Sequence, residues 1–124
     1  MASVTFPDGI LAQHALVAKL IEALREAQTH HTPELATKID EVLDAVRKHF
    51  ASEEGHMQRY GYPRLDSHRQ QHETFLRRLV VLRGECLSGD PELIKMFAES
   101  LESWFHSHER TADQDVLAFL GLRN

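Results

Sequence analysis

Several features that mark particular classes of protein are scarce or missing in this sequence. Cys86 is the only cysteine among 124 residues, so no disulfide can form within the chain, and a reducing cytoplasm is the expected location. No apolar stretch approaches the roughly 20 residues that a membrane-spanning helix needs. No run of Lys and Arg occurs, and the formal net charge is -5. We therefore expect neither a membrane nor a nucleic-acid partner. No secretory signal precedes Asp8, since a basic segment followed by an apolar run is missing there.

Histidine, by contrast, is abundant. The chain contains nine histidines, well above ordinary usage for its length, while its other proportions (42% hydrophobic, 27% charged) are ordinary for a soluble globular protein. A length of 124 residues suits one domain, and we treat residues 1–124 as a single domain. The positions of the histidines carry most of the functional argument.

Short breaks divide the chain into four helical stretches. Thr32-Pro33-Glu34 and Asp90-Pro91-Glu92 each combine a capping residue, a proline and an acid, which is a helix start signal. Gly61 and Ser88-Gly89 are stop signals. The predicted helices cover residues 9–28, 33–60, 64–87 and 91–120. Because the connections are short, the sequence predicts an all-α fold, an antiparallel up-down-up-down four-helix bundle.

Polar residues interrupt the apolar stripe of each predicted helix. Apolar residues recur at spacings of three and four, and the same spacing places five histidines and one glutamate on the inward faces: His14, His49, Glu53, His68, His72 and His108. A lone inward histidine is more often a hydrogen-bonded core residue than a ligand. His68 and His72 share a helix face, about 6 Å apart at Cβ, but that spacing also arises by chance.

The set as a whole favours a metal site. A buried carboxylate such as Glu53 is costly unless it is paired or bound to a cation, and no Lys or Arg shares its stripe. The remaining histidines have simpler interpretations, since His30 and His31 fall in a loop and His56 and His106 point off their stripes. We expect these four on the surface.

Longer motifs resemble a known family. Residues 49–54 read HFASEE, and Trp104-Phe105 precedes His108, with Asp113 five residues further on. Together with Gln13-His14, Met57, Tyr60-Gly61-Tyr62-Pro63 and His68-x-x-x-His72, these segments resemble the bacterial hemerythrins. The resemblance covers almost the whole chain, from His14 to Asp113, and the joint pattern is specific although each piece alone is not.

The resemblance implies a non-haem di-iron site in the core of the bundle. One iron would take His68, His72 and His108, and the other would take His14 and His49. Glu53 and Asp113 would bridge the two ions, together with an oxo or hydroxo group. One position would stay open for oxygen, on the iron that binds two histidines.

The chain departs from the family pattern near His14. The family usually has an aspartate three residues earlier, where this sequence has Leu11. The N-terminal arm is also short and lacks the usual tryptophan, ending in Val4-Thr5-Phe6-Pro7. Since that aspartate can orient a ligand or the arm, the surroundings of His14 are expected to differ from the family pattern.

The spacing of His108 and Asp113 predicts an irregular helix. On a regular α-helix, residues five apart are rotated by about 140° and do not face one point. A π-type turn brings residues i and i+5 together, and such turns often mark functional sites. If both residues bind the same centre, we expect a π-type turn or a distorted helix end between them.

The function implied is reversible binding of molecular oxygen, by a carrier, store or delivery protein and not by an enzyme. Di-iron oxidases of the ferritin type use about four carboxylates and two histidines, a set that favours high-valent iron. Five neutral imidazoles and two carboxylates stabilise the oxidised state less. Two alternatives remain open: a sensor read by a partner, which the lack of room for an output domain after the fourth helix disfavours, and a peroxidase or nitric oxide-reducing enzyme.

Overall fold

The computed structural model describes residues 6–27, 34–86 and 90–123, which form helices and short turns, with no strand among them. Four long helices are α1 (Asp8–Ala27), α2 (Glu34–Arg59), α3 (Leu65–Cys86) and α4 (Pro91–His108). A π-helical turn, Glu109–Asp113, continues α4 into α5 (Gln114–Arg123). The four predicted helical stretches are confirmed, and the described helix ends lie within three residues of the predicted ones.

Two of the predicted boundary signals act as expected. Asp90 caps α4, where its side chain accepts a hydrogen bond from the Glu92 backbone N–H at 3.0 Å. Gly61 follows α2 with φ 69°, in the left-handed region that favours glycine. There Tyr62 N donates to Met57 O and Gly61 N to Gln58 O, the pattern of a Schellman motif. The predicted cap at Thr32-Pro33 and the stop at Ser88-Gly89 lie outside the described residues.

The helices form an antiparallel bundle. Each of α1 and α3 packs against both α2 and α4, which closes a ring of four. Contacts between α2 and α3 run in opposite order along the two helices, because Asp40 pairs with Arg83 and Glu54 pairs with Arg69. The same reversal relates α1 to α4 and the π-helical turn, through the pairs His14–Glu109 and Arg25–Glu102. It also relates α3 to α4 and the same turn, through the pairs His68–Asp113 and Cys86–Leu93. The up-down-up-down topology is therefore confirmed.

The core consists of two apolar clusters with polar side chains between them. The large cluster fills the end of the bundle where α1 and α3 end and includes Leu24, Ile39, Val46, Leu79, Phe97 and Leu101. The small cluster fills the other end and consists of Phe6, Ile10, Met57, Tyr62, Val116 and Leu120. Along their helices, most of the predicted site residues fall between residues of these two clusters, whereas His49 is flanked by Val46 and Phe50 of the large cluster. The polar layer is thus sealed at both ends by apolar side chains.

None of the helices in the described part of the chain has the length and apolar character to cross a lipid bilayer.

Candidate metal centre

Four buried side chains from three helices converge on one point. Glu53 of α2, His68 and His72 of α3, and His108 at the end of α4 each offer a donor atom, and all four atoms lie within 4.8 Å of one another. All four side chains are buried, none more than 5% exposed. Their grouping follows from the sequence, because the spacing of four between His68 and His72 places both rings on one face of α3.

Three members of this group are histidines. We call His68, His72 and His108 together the three-histidine half of the site. The Nε2 atom of His108 lies 3.0 Å from Nε2 of His68 and 3.1 Å from Nε2 of His72. At most one member of each contact can donate a proton when the rings are neutral. Three ring nitrogens pointing at one another in a buried space are therefore the arrangement expected around a cation.

The protonation of His72 is set by a neighbouring carboxylate. Its Nδ1 lies 2.8 Å from Oε2 of Glu54, and Glu54 also accepts a hydrogen bond from Nε of Arg69 at 3.1 Å. A carboxylate can only accept, so we assign the proton of the neutral ring to Nδ1. Nε2 then presents its lone pair to the other histidines, the tautomer and orientation that a metal requires.

A π-helical turn brings Asp113 to the same centre. The turn spans Glu109–Asp113 and directly follows His108, so the predicted irregularity between His108 and Asp113 is confirmed. The carboxylate oxygen Oδ1 of Asp113 lies 3.2 Å from Nε2 of His108 and 3.3 Å from Nε2 of His68. The Thr111 hydroxyl donates to Ser107 O at 2.9 Å on the outer side of this turn.

Aromatic rings hold the imidazoles of the three-histidine half in place. Phe50 stacks on His72 with ring centroids 3.8 Å apart and an interplanar angle of 2°. Trp104 stacks on His108 with ring centroids 4.3 Å apart, and it also stacks on Phe75 with ring centroids 4.1 Å apart. These rings restrict the rotation of the imidazoles and keep water away, so the donor atoms are oriented before any ion binds.

The two buried carboxyl groups have pKa values displaced in opposite directions. Burial, and next the charge of Asp113, raise the pKa of Glu53 to about 9. Burial would also raise the pKa of Asp113, but its contacts with the imidazoles of His108 and His68 outweigh burial and lower it. Two carboxylates this close cannot both stay ionised without a cation, so without metal Glu53 retains a proton at neutral pH.

Two histidines are kept neutral by their surroundings. Burial lowers the pKa of His72 to about 2, with His68 and His108 adding to the effect. Burial, followed by the proximity of His14, lowers the pKa of His49 to about 4. Neutral imidazole is the form that binds metal ions, so both rings are ready to bind at neutral pH.

The described residues fit a bound cation. Four side-chain atoms are fully buried without a hydrogen-bond partner in this part of the chain: Oε1 of Gln13, Nδ1 of His49, Oε1 of Glu53 and Oδ1 of Asp113. Buried polar atoms without partners are rare in folded proteins, and each needs an explanation. For the two carboxylate oxygens, which face imidazole nitrogens, a metal ion would supply the missing partner.

The remaining two predicted ligands, His14 and His49, form the two-histidine half. His49 is buried, and its Nε2 lies 3.8 Å from Oε2 of Glu53. His14 is outside the converging group: its ring centroid lies 5.4 Å from that of His49, and its side chain is 35% exposed. Its Nε2 instead contacts a carboxylate oxygen of Glu109.

A cavity of about 180 Å³ adjoins the two-histidine half. Its polar lining comprises His14, His49, Glu53, Glu109, Asp113 and Gln114. Its apolar lining comes from the small cluster and from Leu11, which stands where the family pattern has an aspartate and is itself 44% exposed. This cavity therefore places open space beside His14 and His49.

Two functional candidates were not found from the sequence. Glu54 was recognised only as part of a motif, and its contact with His72 depends on the packing of α2 on α3. Glu109 carried a usable signal, because it lies four residues after Phe105, whose ring faces His14 at 5.8 Å. A spacing of four puts Phe105 and Glu109 on the same face of the helix, towards α1.

The other singled-out residues lie away from the centre. His106 is exposed, and the partly exposed His56 contacts Phe6 and Tyr60, as their positions off the stripes predicted. His30 and His31 lie outside the described residues. Cys86 is buried and donates a hydrogen bond to Leu93 O at 3.4 Å, and burial raises the pKa of its thiol to about 11.

Comparison with known proteins agrees with this geometry. The chain is 32% identical over 108 residues to the bacteriohemerythrin of Stenotrophomonas maltophilia, covering 86% of this chain and 70% of that protein. It is 26% identical over 112 residues to the bacteriohemerythrin of Ralstonia nicotianae, with 90% and 80% covered. It is 30% identical over 81 residues to the myohemerythrin of Sipunculus nudus, with 65% and 62% covered. No solved structure matches the chain significantly. The profile described as the hemerythrin HHE cation binding domain matches residues 5–120, and the chain therefore belongs to the hemerythrin family.

Proposed function

We propose that this chain binds molecular oxygen reversibly at a non-haem di-iron centre and serves as an oxygen carrier or store. One observation carries the proposal: the ring nitrogens of His68, His72 and His108 converge, in the buried core, beside the carboxylate oxygens of Glu53 and Asp113. Imidazole and carboxylate are donors that suit iron, and membership of the hemerythrin family makes iron the expected ion.

Seven side chains would hold the two ions. The three-histidine half would hold one and the two-histidine half the other, with the carboxylates of Glu53 and Asp113 bridging them beside an oxo or hydroxo group. The position of Glu53 supports this assignment, because it lies 3.5 Å from Nε2 of His72 and 3.8 Å from Nε2 of His49, one in each half. Asp113 faces His68 and His108 on the other side.

The surrounding residues favour binding over further chemistry. A pair of ferrous ions supplies the two electrons that reversible oxygen binding requires. The chain contributes mostly neutral donors, since His49 and His72 have lowered pKa values, and mostly neutral donors stabilise the oxidised ions less than a carboxylate-rich set. Phe50 and Trp104 keep water away from the imidazoles they cover, which limits competing hydrolysis and proton transfer.

Access to the centre runs through the two-histidine half. The cavity of about 180 Å³ beside His14 and His49 has room for a diatomic ligand, and apolar side chains form much of its wall. We also propose a cytoplasmic location, because the single cysteine, Cys86, is a free thiol, and a chain without a disulfide suits a reducing compartment.

The proposal is tested by cycling oxygen over the iron-loaded protein. The protein is reduced without air, exposed to oxygen, and then returned to an oxygen-free atmosphere, while its visible absorption is recorded. A charge-transfer band that appears with oxygen and disappears on its removal is the expected result. A band that never forms, or one that decays only when a reducing substrate is consumed, would contradict a carrier and favour an enzyme.

A further inference from the structure

Glu109 has no role in the seven-ligand assignment, yet it reaches the site. It is the first residue of the π-helical turn, and its carboxylate contacts Nε2 of His14, the ring atom that would bind metal. Its side chain is 41% exposed. A ligand nitrogen and a carboxylate oxygen that meet at one edge of a metal site are suited to bind the same ion.

The local electrostatics favour a further carboxylate there. Two ferrous ions carry four positive charges, of which Glu53, Asp113 and one hydroxide cancel three. One charge would remain uncancelled among buried aromatic and apolar side chains, where isolated charge is costly. The two-histidine half also has fewer protein donors than the three-histidine half, so an additional anionic ligand is more useful at this end.

Two cavities meet at the His14–Glu109 pair. The inner one is the cavity of about 180 Å³ that reaches Glu53 and Asp113, and the outer one is a cleft of about 270 Å³ between α1 and α4. His14 and Glu109 line both. A carboxylate at this point can lie against the site or swing outward into the cleft.

We propose that Glu109 is an eighth protein ligand, binding the ion held by His14 and His49 in the position that oxygen needs. Oxygen binding then requires displacement of the Glu109 carboxylate towards the outer cleft, so this residue regulates access to the centre. The inference rests on the proposed di-iron function. It adds that the oxygen-binding position of that centre is occupied by Glu109 when oxygen is absent.

Azide provides a direct test, because it is a small anion that binds ferric iron at an exchangeable position. The oxidised, iron-loaded protein is titrated with azide, and binding is followed by the charge-transfer band, alongside an iron count per chain. Glu109→Leu removes the carboxylate, while Glu109→Gln keeps its size and its ability to accept a hydrogen bond from His14. Glu99→Gln, at an exposed carboxylate on α4, is the matched control for loss of one negative charge.

We expect both Glu109 variants to bind azide at least about tenfold more tightly than the unaltered protein, with Glu99→Gln unchanged. Loss of one iron from both Glu109 variants, with apo-protein melting unchanged, also supports a ligand role. If both Glu109 variants bind azide with the same affinity as the unaltered protein, the inference is overturned and the di-iron function still stands. An effect in Glu109→Leu alone also overturns it, since Glu109 would then only position His14. If the unaltered protein does not hold two irons per chain, both the inference about Glu109 and the proposed di-iron function are overturned.

Discussion

The two halves of the candidate centre differ in how firmly the chain holds them. His68, His72 and His108 are buried and their nitrogens already converge, whereas His14 is 35% exposed and touches Glu109. His72 has a stacked ring on one side and a carboxylate on Nδ1. We infer from this difference that one half is organised for retention of an ion and the other for exchange.

The difference has its origin in the helices that carry each half. The three-histidine half is built from α3 and α4, and Trp104 covers His108 there. The two-histidine half depends on α1 and α2, and it opens on the cavities beside α1. We therefore expect the first ion to bind to the three-histidine half, and small ligands to act at the other.

The largest effect should come from Glu53→Ala, which removes the carboxylate common to both halves. We expect iron content to fall from two ions per chain to almost none, because both halves would lose a carboxylate donor and the two ions would repel each other with one bridging charge fewer. Iron per chain, measured after loading and gel filtration, checks this. Glu41→Ala, at an exposed glutamate of α2, is the control and should keep two irons. Two retained irons in Glu53→Ala would mean that Glu53 does not bridge.

His14→Ala should separate the two halves. This variant loses a ligand of the exposed half only, so we expect one iron per chain, bound by His68, His72 and His108, and no reversible oxygen binding. His106→Ala, an exposed histidine on the same face of α4 as the outer cleft, should keep both ions. If His14→Ala lost both ions, the three-histidine half would not be independent, and the comparison would fail.

The sequence was a good guide to the buried half and a poorer one to the exposed half. The three-four spacing of His68, His72 and His108 within apolar stripes is enough to bury them, and the i, i+5 relation of His108 and Asp113 predicted the π-helical turn. The same spacing placed His14 on the inward stripe, but the exposure of its side chain depends on the position of α1 relative to α4. That relative position is set by side-chain packing between the helices, and the periodicity of apolar residues does not predict it.

Glu54→Ala should weaken the three-histidine half without removing a ligand. Glu54 holds the proton on Nδ1 of His72, and loss of such a partner typically lowers metal affinity by about 10- to 100-fold. Competition with a chelator of known affinity measures the effect. Glu54→Gln retains an acceptor for the Nδ1 proton, so it should restore part of the affinity. Glu73→Ala, at an exposed glutamate of α3, is the control. An equal loss in Glu73→Ala would point to general charge and not to His72.

The smallest effect concerns the metal-free protein between pH 7 and pH 9. The pKa of Glu53 is about 9 in the folded chain against an ordinary value of 4.5, so in this range only the folded state retains the proton. Stability therefore falls as pH rises, by about 2 kcal/mol over these two units. His49 and His72 do not contribute, because their unfolded pKa of 6.5 lies below the range and burial lowers their folded pKa values further.

Urea unfolding of the metal-free protein at pH 7 and pH 9 measures this loss. Glu53→Gln cannot ionise, so its stability should stay nearly constant over the same range. A parallel fall in both proteins would show that another group titrates. Iron-loaded protein should not show the fall, since the metal replaces the proton on Glu53.

We propose that one chain holds two ions in unequal halves of one centre. Crystals of the iron-loaded protein, measured at the iron absorption edge, locate the ions directly through anomalous scattering. We predict two iron peaks per chain, one beside Nε2 of His68, His72 and His108 and the other beside His14 and His49, with Glu53 and Asp113 between them. A single peak within the three-histidine half, or a second peak away from His14 and His49, would contradict the account.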